Sequence, residues 1–76
     1  MLRTTDEAYN KMIGERDKLQ ERITELSLFI REVRRNERED VTVEELHDME
    51  DQVFHMNKYL QILCIRIYRA ERSTHH

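Results

Sequence analysis

The 76-residue chain contains no proline and no tryptophan, one glycine (Gly14) and one cysteine (Cys64). Without proline or a glycine-rich stretch, nothing marks a linker, and we expect a single domain over residues 1–76. A lone cysteine excludes an intrachain disulfide and comes without the cysteine–histidine spacing of a zinc site. With no base partner apparent for it, we expect Cys64 to be a small buried side chain.

Long hydrophobic runs are also missing. The beginning, MLRTTDEAY, has no apolar stretch of the kind found in signal peptides. The longest apolar-rich segment, residues 59–68, is shorter than the roughly 20 residues needed to span a bilayer. Together with the unpaired cysteine, these absences favour a cytoplasmic protein without a membrane partner.

What the chain has instead is two uninterrupted seven-residue repeats. The first comprises Tyr9, Met12, Arg16, Leu19, Ile23, Leu26, Ile30 and Val33; the second comprises Leu46, Met49, Val53, Met56, Leu60, Leu63, Ile67 and Ala70. Steps alternate between three and four residues, which places each set along one side of a helix. Arg16 is the one charged member. The repeats predict an all-α fold, an antiparallel two-helix hairpin that resembles a coiled coil and assembles into a helical-bundle oligomer.

Helix boundaries follow from capping signals. Helix one is expected over about residues 6–38, with Thr5 as N-cap and Asn36 or Asp40 at its end. Thr42 and Glu45 form a capping box that starts the second helix.

Helix two is expected over about residues 43–72. Residues 73–76 then form a tail, and His75 and His76 look like the remnant of a purification tag. Pairing the two repeats in antiparallel order places Glu15 opposite Arg66, where an ion pair is expected.

Self-association is expected because the core is small. Two helices with eight seam positions each rarely supply more than about 3–5 kcal/mol of stability without a disulfide or metal. Residues 59–68 are apolar nearly all round, which is typical of a helix that is buried on all sides. We therefore expect a homodimer or homotetramer centred on helix two.

Charge is unevenly distributed. The net charge of the chain is −3, with −7 in residues 36–51 and +3 in residues 52–76. One interpretation is ordinary solvated helix surface; the other is an anion site built from arginines and tyrosines. Binding to DNA is not expected from a chain without a broad basic face. Two interpretations are also open for Arg16: its side chain turns outward from the seam, or it points into a ligand cavity.

Catalytic and metal sites are not indicated. His47 and His55 are eight residues apart, too far for a paired metal ligand, and no nucleophile–base set or glycine-rich phosphate loop is present. We expect neither a cofactor nor enzymatic activity.

Residues 15–66 resemble a family of small helical-hairpin proteins of crAss-like phages. The pattern reads E-x-x-x-L-x-x-R-I-x-x-L-x-x-F-I in the first helix and Q-x-x-x-M-x-x-Y-L-x-I-L-x-x-R-I in the second. Four residues of this pattern are not needed to form a seam, and all four lie on one flank of the hairpin in the predicted pairing: Arg22, Gln52, Tyr59 and Arg66.

The resemblance implies a phage sponge of the anti-CBASS type, which oligomerises in the host cytoplasm and sequesters a cyclic nucleotide immune signal such as a cyclic dinucleotide. On that reading Tyr59 stacks on a base, Arg22 and Arg66 contact phosphates or a base edge, and Gln52 assists. Arg69 and Tyr9 are second-line candidates. Two alternatives stay open: an adaptor or inhibitor that binds a host protein, and a purely structural coiled-coil oligomer.

Overall fold

The computed structural model describes residues 6–35 and 38–74, which form two helices and contain no strand. Helix α1 spans Asp6–Arg34 and helix α2 spans Val43–Thr74. The helices pack against each other as a hairpin that measures 54 × 16 × 14 Å. The predicted all-α hairpin is confirmed for the described part of the chain.

The start of α2 agrees with the capping signals of the sequence, whereas the end of α1 does not. α2 begins at Val43 as expected, and the Thr42 hydroxyl accepts a hydrogen bond of 3.1 Å from the backbone N–H of Glu45. It continues to Thr74, two residues beyond the expected end. α1 ends at Arg34, four residues before the expected end at Arg38.

Arg38 lies beyond the end of α1 but still contacts its last turns. Its guanidinium lies 4.6 Å from the centre of the Phe29 ring and 3.8 Å from a Glu32 carboxylate oxygen, and it also donates to Asp40 at 3.4 Å. The side chain thus folds back onto the last turns of α1, where a cation is favoured by the helix dipole. Thr5, Asn36, His75 and His76 lie outside the described residues.

The predicted seam is the contact between the helices. All of its positions are buried or half-buried, and Leu63 is buried completely. The buried members are Met12, Ile30, Val33, Leu63, Ile67 and Ala70. Tyr9, Ile13 and Leu19 pack against the cluster at the open end. The core is therefore a narrow strip, as the repeats predicted.

Polar contacts at both ends agree with the predicted pairing. Near the open end, the Tyr9 hydroxyl donates a 2.6 Å hydrogen bond to Glu71. Near the connection, Arg34 pairs with Glu50. Both contacts fit a register in which Tyr9 lies beside Ala70 and the last turn of α1 lies beside the first turns of α2.

Arg16 turns outward. Its Nε and Nη2 atoms donate to the carboxylate of Asp17 at 3.2 and 3.1 Å, and the side chain is 32% exposed. The guanidinium therefore leaves the seam along the surface of α1.

Much apolar surface stays uncovered in the hairpin. Side chains that are more than half exposed are Leu28, Val43, Phe54, Ile62, Ile65 and Tyr68. Cys64 is exposed as well, contrary to the expectation that it is buried, because it lies on the flank of α2 instead of in the seam. Within the described residues, neither helix has an apolar stretch long enough to cross a membrane.

Replacing Arg16 by leucine is expected to raise the free energy of unfolding by about 1 kcal/mol, because a half-buried cation gives way to apolar area in the seam. Urea denaturation at matched protein concentration measures the change. Thr24→Leu, an exposed position on the same helix, is the control and is expected to stay within about 0.5 kcal/mol of the parent. A destabilised Arg16→Leu variant contradicts the outward role assigned to Arg16.

Candidate ligand-binding site

A cleft of about 480 Å³ lies along one flank of the hairpin. Its lining comprises Lys11, Gly14, Glu15, Lys18, Leu19 and Arg22 from α1, and Tyr59 from α2. The volume falls in the range of about 300–1,000 Å³ that small-molecule sites occupy. Tyr59 brings the only aromatic ring of the lining.

Helical spacing explains this lining. Lys11 and Lys18 are seven residues apart, as are Glu15 and Arg22, so that the four side chains form two parallel rows along α1. Leu19 belongs to the seam and forms the floor of the cleft.

Tyr59 is held in place by Glu15. The tyrosine hydroxyl donates a hydrogen bond to the Glu15 carboxylate. This bond, with desolvation and the charge of Glu15, raises the pKa of Tyr59 above its ordinary value, while the positive charge of Arg66 opposes the rise. The ring is 39% exposed, so one part of it stays accessible at the edge of the cleft.

The Tyr59–Glu15 bond replaces an expected contact. The sequence predicted an ion pair between Glu15 and Arg66, but no such pair is found among the described residues. The phenol lies nearer to the carboxylate and takes it as its partner, whereas Arg66 acts on Tyr59 through its charge. Arg66 is thus beside the cleft without being part of its lining.

The cleft is positively charged although the chain as a whole is negative. Three cations and one carboxylate line it, which gives a local charge of +2. Lys11 is 4.0 Å from Glu7, but neither Lys18 nor Arg22 forms an ion pair within the described ranges. An arginine that is not neutralised is available for bidentate contact with an anion.

Two of the six residues predicted for the site, Arg22 and Tyr59, line the cleft together. Gln52 is exposed on α2, seven residues before Tyr59, and therefore roughly 10 Å further toward the connection. Arg69 is exposed and lies on the side of α2 turned away from α1. Neither is among the residues that line the cleft.

Tyr9 lies at the open end of the hairpin. Its hydroxyl donates to Glu71, and that hydrogen bond is the main reason why the pKa of Tyr9 is raised. The hydroxyl is thus engaged in holding the two helix ends together.

Five residues line the cleft but were not predicted for the site: Lys11, Gly14, Glu15, Lys18 and Leu19. For the charged residues, the signal that could have found them is their spacing on α1, because Lys11, Glu15, Lys18 and Arg22 follow the same three- and four-residue steps as a seam. Flanking lysines are common on exposed helices, so the spacing alone did not separate them from solvated surface.

Gly14 has no packing role in the described hairpin. A Cβ atom built at this position meets no other atom within 4 Å. Glycine in a helix interior is about 1 kcal/mol less favourable than alanine. The wall of the cleft thus includes a residue that weakens α1 without any close backbone approach to require it.

A second depression, of about 660 Å³, lies at the connection. Its two arginines are already engaged, Arg34 with Glu50 and Arg38 with Glu32 and Asp40. It also contains no aromatic side chain. Although it is larger, it is the weaker candidate for an anionic ligand.

No group of three or more histidine, cysteine, aspartate or glutamate side chains that could hold a metal ion converges within the described ranges.

A family model described as Sequestin matches residues 6–69, which include both helices up to Arg69 and the whole lining of the cleft. No curated protein and no solved structure matches the chain.

Replacing Glu15 by glutamine is expected to bring the pKa of Tyr59 back toward its ordinary value of 10, because the charged acceptor that disfavours the phenolate is removed. Phenolate absorbance measures the titration of all three tyrosines. Subtracting the curve of the Tyr59→Phe variant leaves the titration of Tyr59 alone. A raised pKa in the folded state stabilises the hairpin below about pH 10, and the contribution is lost as the pH rises through the folded value. A titration that is unchanged in Glu15→Gln contradicts the assignment.

Replacing Gly14 by alanine is expected to raise the free energy of unfolding by about 1 kcal/mol, since the added methyl group meets open space and the helix gains propensity. Thermal or urea denaturation measures the gain. Ser27→Gly, at an exposed position in the interior of the same helix, is the control of opposite sign and is expected to lose stability. A destabilised Gly14→Ala would show a close contact at this position.

Proposed function

The chain belongs to the Sequestin family, and on that premise we propose that it is a non-catalytic binding protein that sequesters a cyclic nucleotide immune signal in the cytoplasm of a bacterial host. Such a protein of phage type evades immunity by lowering the free concentration of the messenger. No bond in the ligand breaks in this mechanism. The family description supports a sequestering role, and the chemistry of the cleft supports the ligand class.

The observation that carries the proposal is the position of Tyr59 among three cations in a cleft of ligand size. A phenol ring offers a flat surface on which a nucleobase can stack, with about 1–3 kcal/mol per base. The guanidinium of Arg22 offers a planar fork for a phosphate. Lys11 and Lys18 add positive charge on the same wall.

Glu15 adds a hydrogen-bond acceptor to the cationic cleft. Its carboxylate accepts the Tyr59 hydrogen bond and lies between the two lysines in sequence. A carboxylate has capacity for more than one donor. It can therefore also receive an amino or hydroxyl group of a nucleotide, which a bare cluster of cations cannot recognise.

Sequestration requires tight binding. Nanomolar affinity corresponds to about −12 kcal/mol. Stacking on Tyr59, worth about 1–3 kcal/mol, and charge-assisted hydrogen bonds to Arg22 and Lys18, worth about 1.5–3 kcal/mol each, account for part of this value. Burial of the ligand has to supply the remainder.

The acidic connection favours a second candidate function, an adaptor that binds and blocks a host protein. Exposed carboxylates cluster there on both sides of the start of α2: Glu39, Asp40, Glu44, Glu45 and Asp48. Under this alternative, charge reversal at Glu44, Glu45 and Asp48 abolishes activity, and changes at the cleft do not.

Tyr59→Ala and Arg22→Ala are expected to weaken ligand capture about 10- to 100-fold each, because a stacking surface or a cation of the lining is lost. Arg66→Ala removes a cation beside the cleft and should weaken capture less. Calorimetry or native mass spectrometry measures binding across cyclic dinucleotides, cyclic trinucleotides and ADP-ribose derivatives. The ligand should be recovered chemically intact after the protein is denatured.

Two controls sharpen this test. Tyr59→Phe keeps the ring and should retain most of the affinity, whereas Arg31→Ala removes an exposed arginine of α1 outside the cleft and should change nothing. Absence of binding across the whole panel overturns the sponge proposal in favour of the adaptor, and recovery of a cleaved ligand overturns the non-catalytic mechanism.

A further inference from the structure

Glu15 is the one acidic side chain among the described residues that line the cleft. A carboxylate repels phosphate, so Glu15 weakens the attraction that Lys18 and Arg22 exert on an anionic ligand. Any favourable contribution of Glu15 to binding therefore has to come from hydrogen-bond donors of the ligand. In a nucleotide, these donors are on the base and on the ribose hydroxyl groups.

The position of the Glu15 carboxylate favours the base as its partner. The Tyr59 hydroxyl donates to Oε1 of Glu15, so the carboxylate lies at the hydroxyl end of the tyrosine ring. A base that stacks on the exposed part of this ring, displaced toward the hydroxyl, brings one of its edges to the carboxylate. The ribose is attached to another part of the base and lies outside the stack.

The carboxylate of Glu15 has acceptor capacity left. Within the described ranges its Oε2 atom accepts no hydrogen bond, and Glu15 forms no ion pair. An ionised carboxylate only accepts, has about four lone-pair sites on its two oxygens, and can take two parallel N–H donors. The base edge that suits it best therefore has two N–H donors side by side.

Guanine is the one standard base with such an edge. Its Watson–Crick edge presents N1–H next to an N–H of the N2 amino group. Adenine and cytosine place a single amino group beside a ring nitrogen that accepts, and uracil has one N–H between two carbonyl groups. A carboxylate that faces any of these three edges sets an acceptor against an acceptor, which disfavours the wrong base.

The lysines next to Glu15 suit the third group of the same edge. Lys11 precedes Glu15 by four residues and Lys18 follows it by three, so a cation lies about one helical turn away on each side. The O6 carbonyl of guanine is beside N1–H and accepts a hydrogen bond. A neighbouring ammonium and carboxylate therefore satisfy all three groups of the guanine edge, whereas adenine and cytosine can satisfy only two such contacts.

We propose that Glu15 recognises guanine: its carboxylate accepts N1–H and N2–H while the base stacks on Tyr59 and Lys18 donates to O6. Phosphate is then bound by Arg22, which lies seven residues, or roughly 10 Å, further along α1 than Glu15. This assignment rests on the proposed function, and it specifies the ligand as a guanine-containing nucleotide.

Three cyclic dinucleotides with the same backbone test the assignment: cyclic di-GMP, cyclic di-AMP and cyclic di-IMP. The base of the third, hypoxanthine, differs from guanine only in lacking the N2 amino group. Calorimetry is expected to show that the parent binds cyclic di-GMP roughly tenfold more tightly than either of the other two, because each of them loses a charge-assisted hydrogen bond to Glu15. This comparison needs no variant.

Glu15→Gln tests the residue itself, since it keeps the size of the side chain and replaces one acceptor oxygen by an amino group. Binding of cyclic di-GMP should fall roughly tenfold, whereas cyclic di-AMP should bind as tightly as before or more tightly, because a negative charge has left the cleft. The preference for guanine should shrink to within about threefold. A glutamate that only held Tyr59 in place would weaken all three ligands alike.

Matched variants separate recognition from charge and from positioning. Glu25→Gln removes the same charge from an exposed position of α1 outside the lining and should leave the preference at roughly tenfold. Tyr59→Phe removes the hydroxyl but keeps the carboxylate, so it should weaken all three ligands by a similar small factor and retain the preference. Circular dichroism checks that Glu15→Gln, a change at an exposed position, keeps the helical fold.

Equal affinity for the three ligands, or tighter binding of cyclic di-AMP, overturns the guanine assignment and leaves the sponge proposal standing. So does a Glu15→Gln variant that retains the full preference. Capture of an adenine-only cyclic trinucleotide or an ADP-ribose derivative, without capture of cyclic di-GMP, has the same consequence. Failure to bind any nucleotide is a separate result, which overturns the proposed function and this assignment with it.

Discussion

The register between α1 and α2 is the constraint on which the rest of the structure depends. It is fixed by a strip of side chains in which Leu63 is completely buried, and it sets Tyr59 of α2 beside Glu15 of α1. A slip of one helical turn would move Tyr59 by about 5.4 Å along α1. The hydrogen bond and the mixed lining of the cleft would then be lost together. Close packing in the seam thus determines the chemistry on the flank.

Periodicity predicted the architecture because burial is a collective property. Sixteen positions in two repeats were expected between the helices, and all sixteen are buried or half-buried, although the guanidinium of Arg16 turns outward to Asp17. Arg22 and Tyr59 could be placed on one flank for the same reason, since the register relates the two helices along their whole length. The start of α2 was predictable from a local hydrogen bond at Thr42.

Individual partners of exposed side chains were less predictable. Glu15 had both Arg66 and Tyr59 within reach, and the structure selects the phenol. Arg38 was expected in the last turn of a longer α1, but it contacts Phe29 and Glu32 from outside the helix. Exposed ion pairs differ by about 0–1 kcal/mol. A difference of that size depends on rotamers, which a repeat in the sequence does not specify. Lys11 and Lys18 escaped prediction because lysines at this spacing are equally common on solvated helix surface.

α2 presents a different surface on each of its sides. One side forms the seam, one flank carries Tyr59, and the outer face exposes Phe54, Ile62 and Ile65. The positive cleft lies far from the acidic connection along a 54 Å hairpin, and charges are screened over about 8 Å at physiological salt. The cleft can therefore attract an anion although the chain is negative overall.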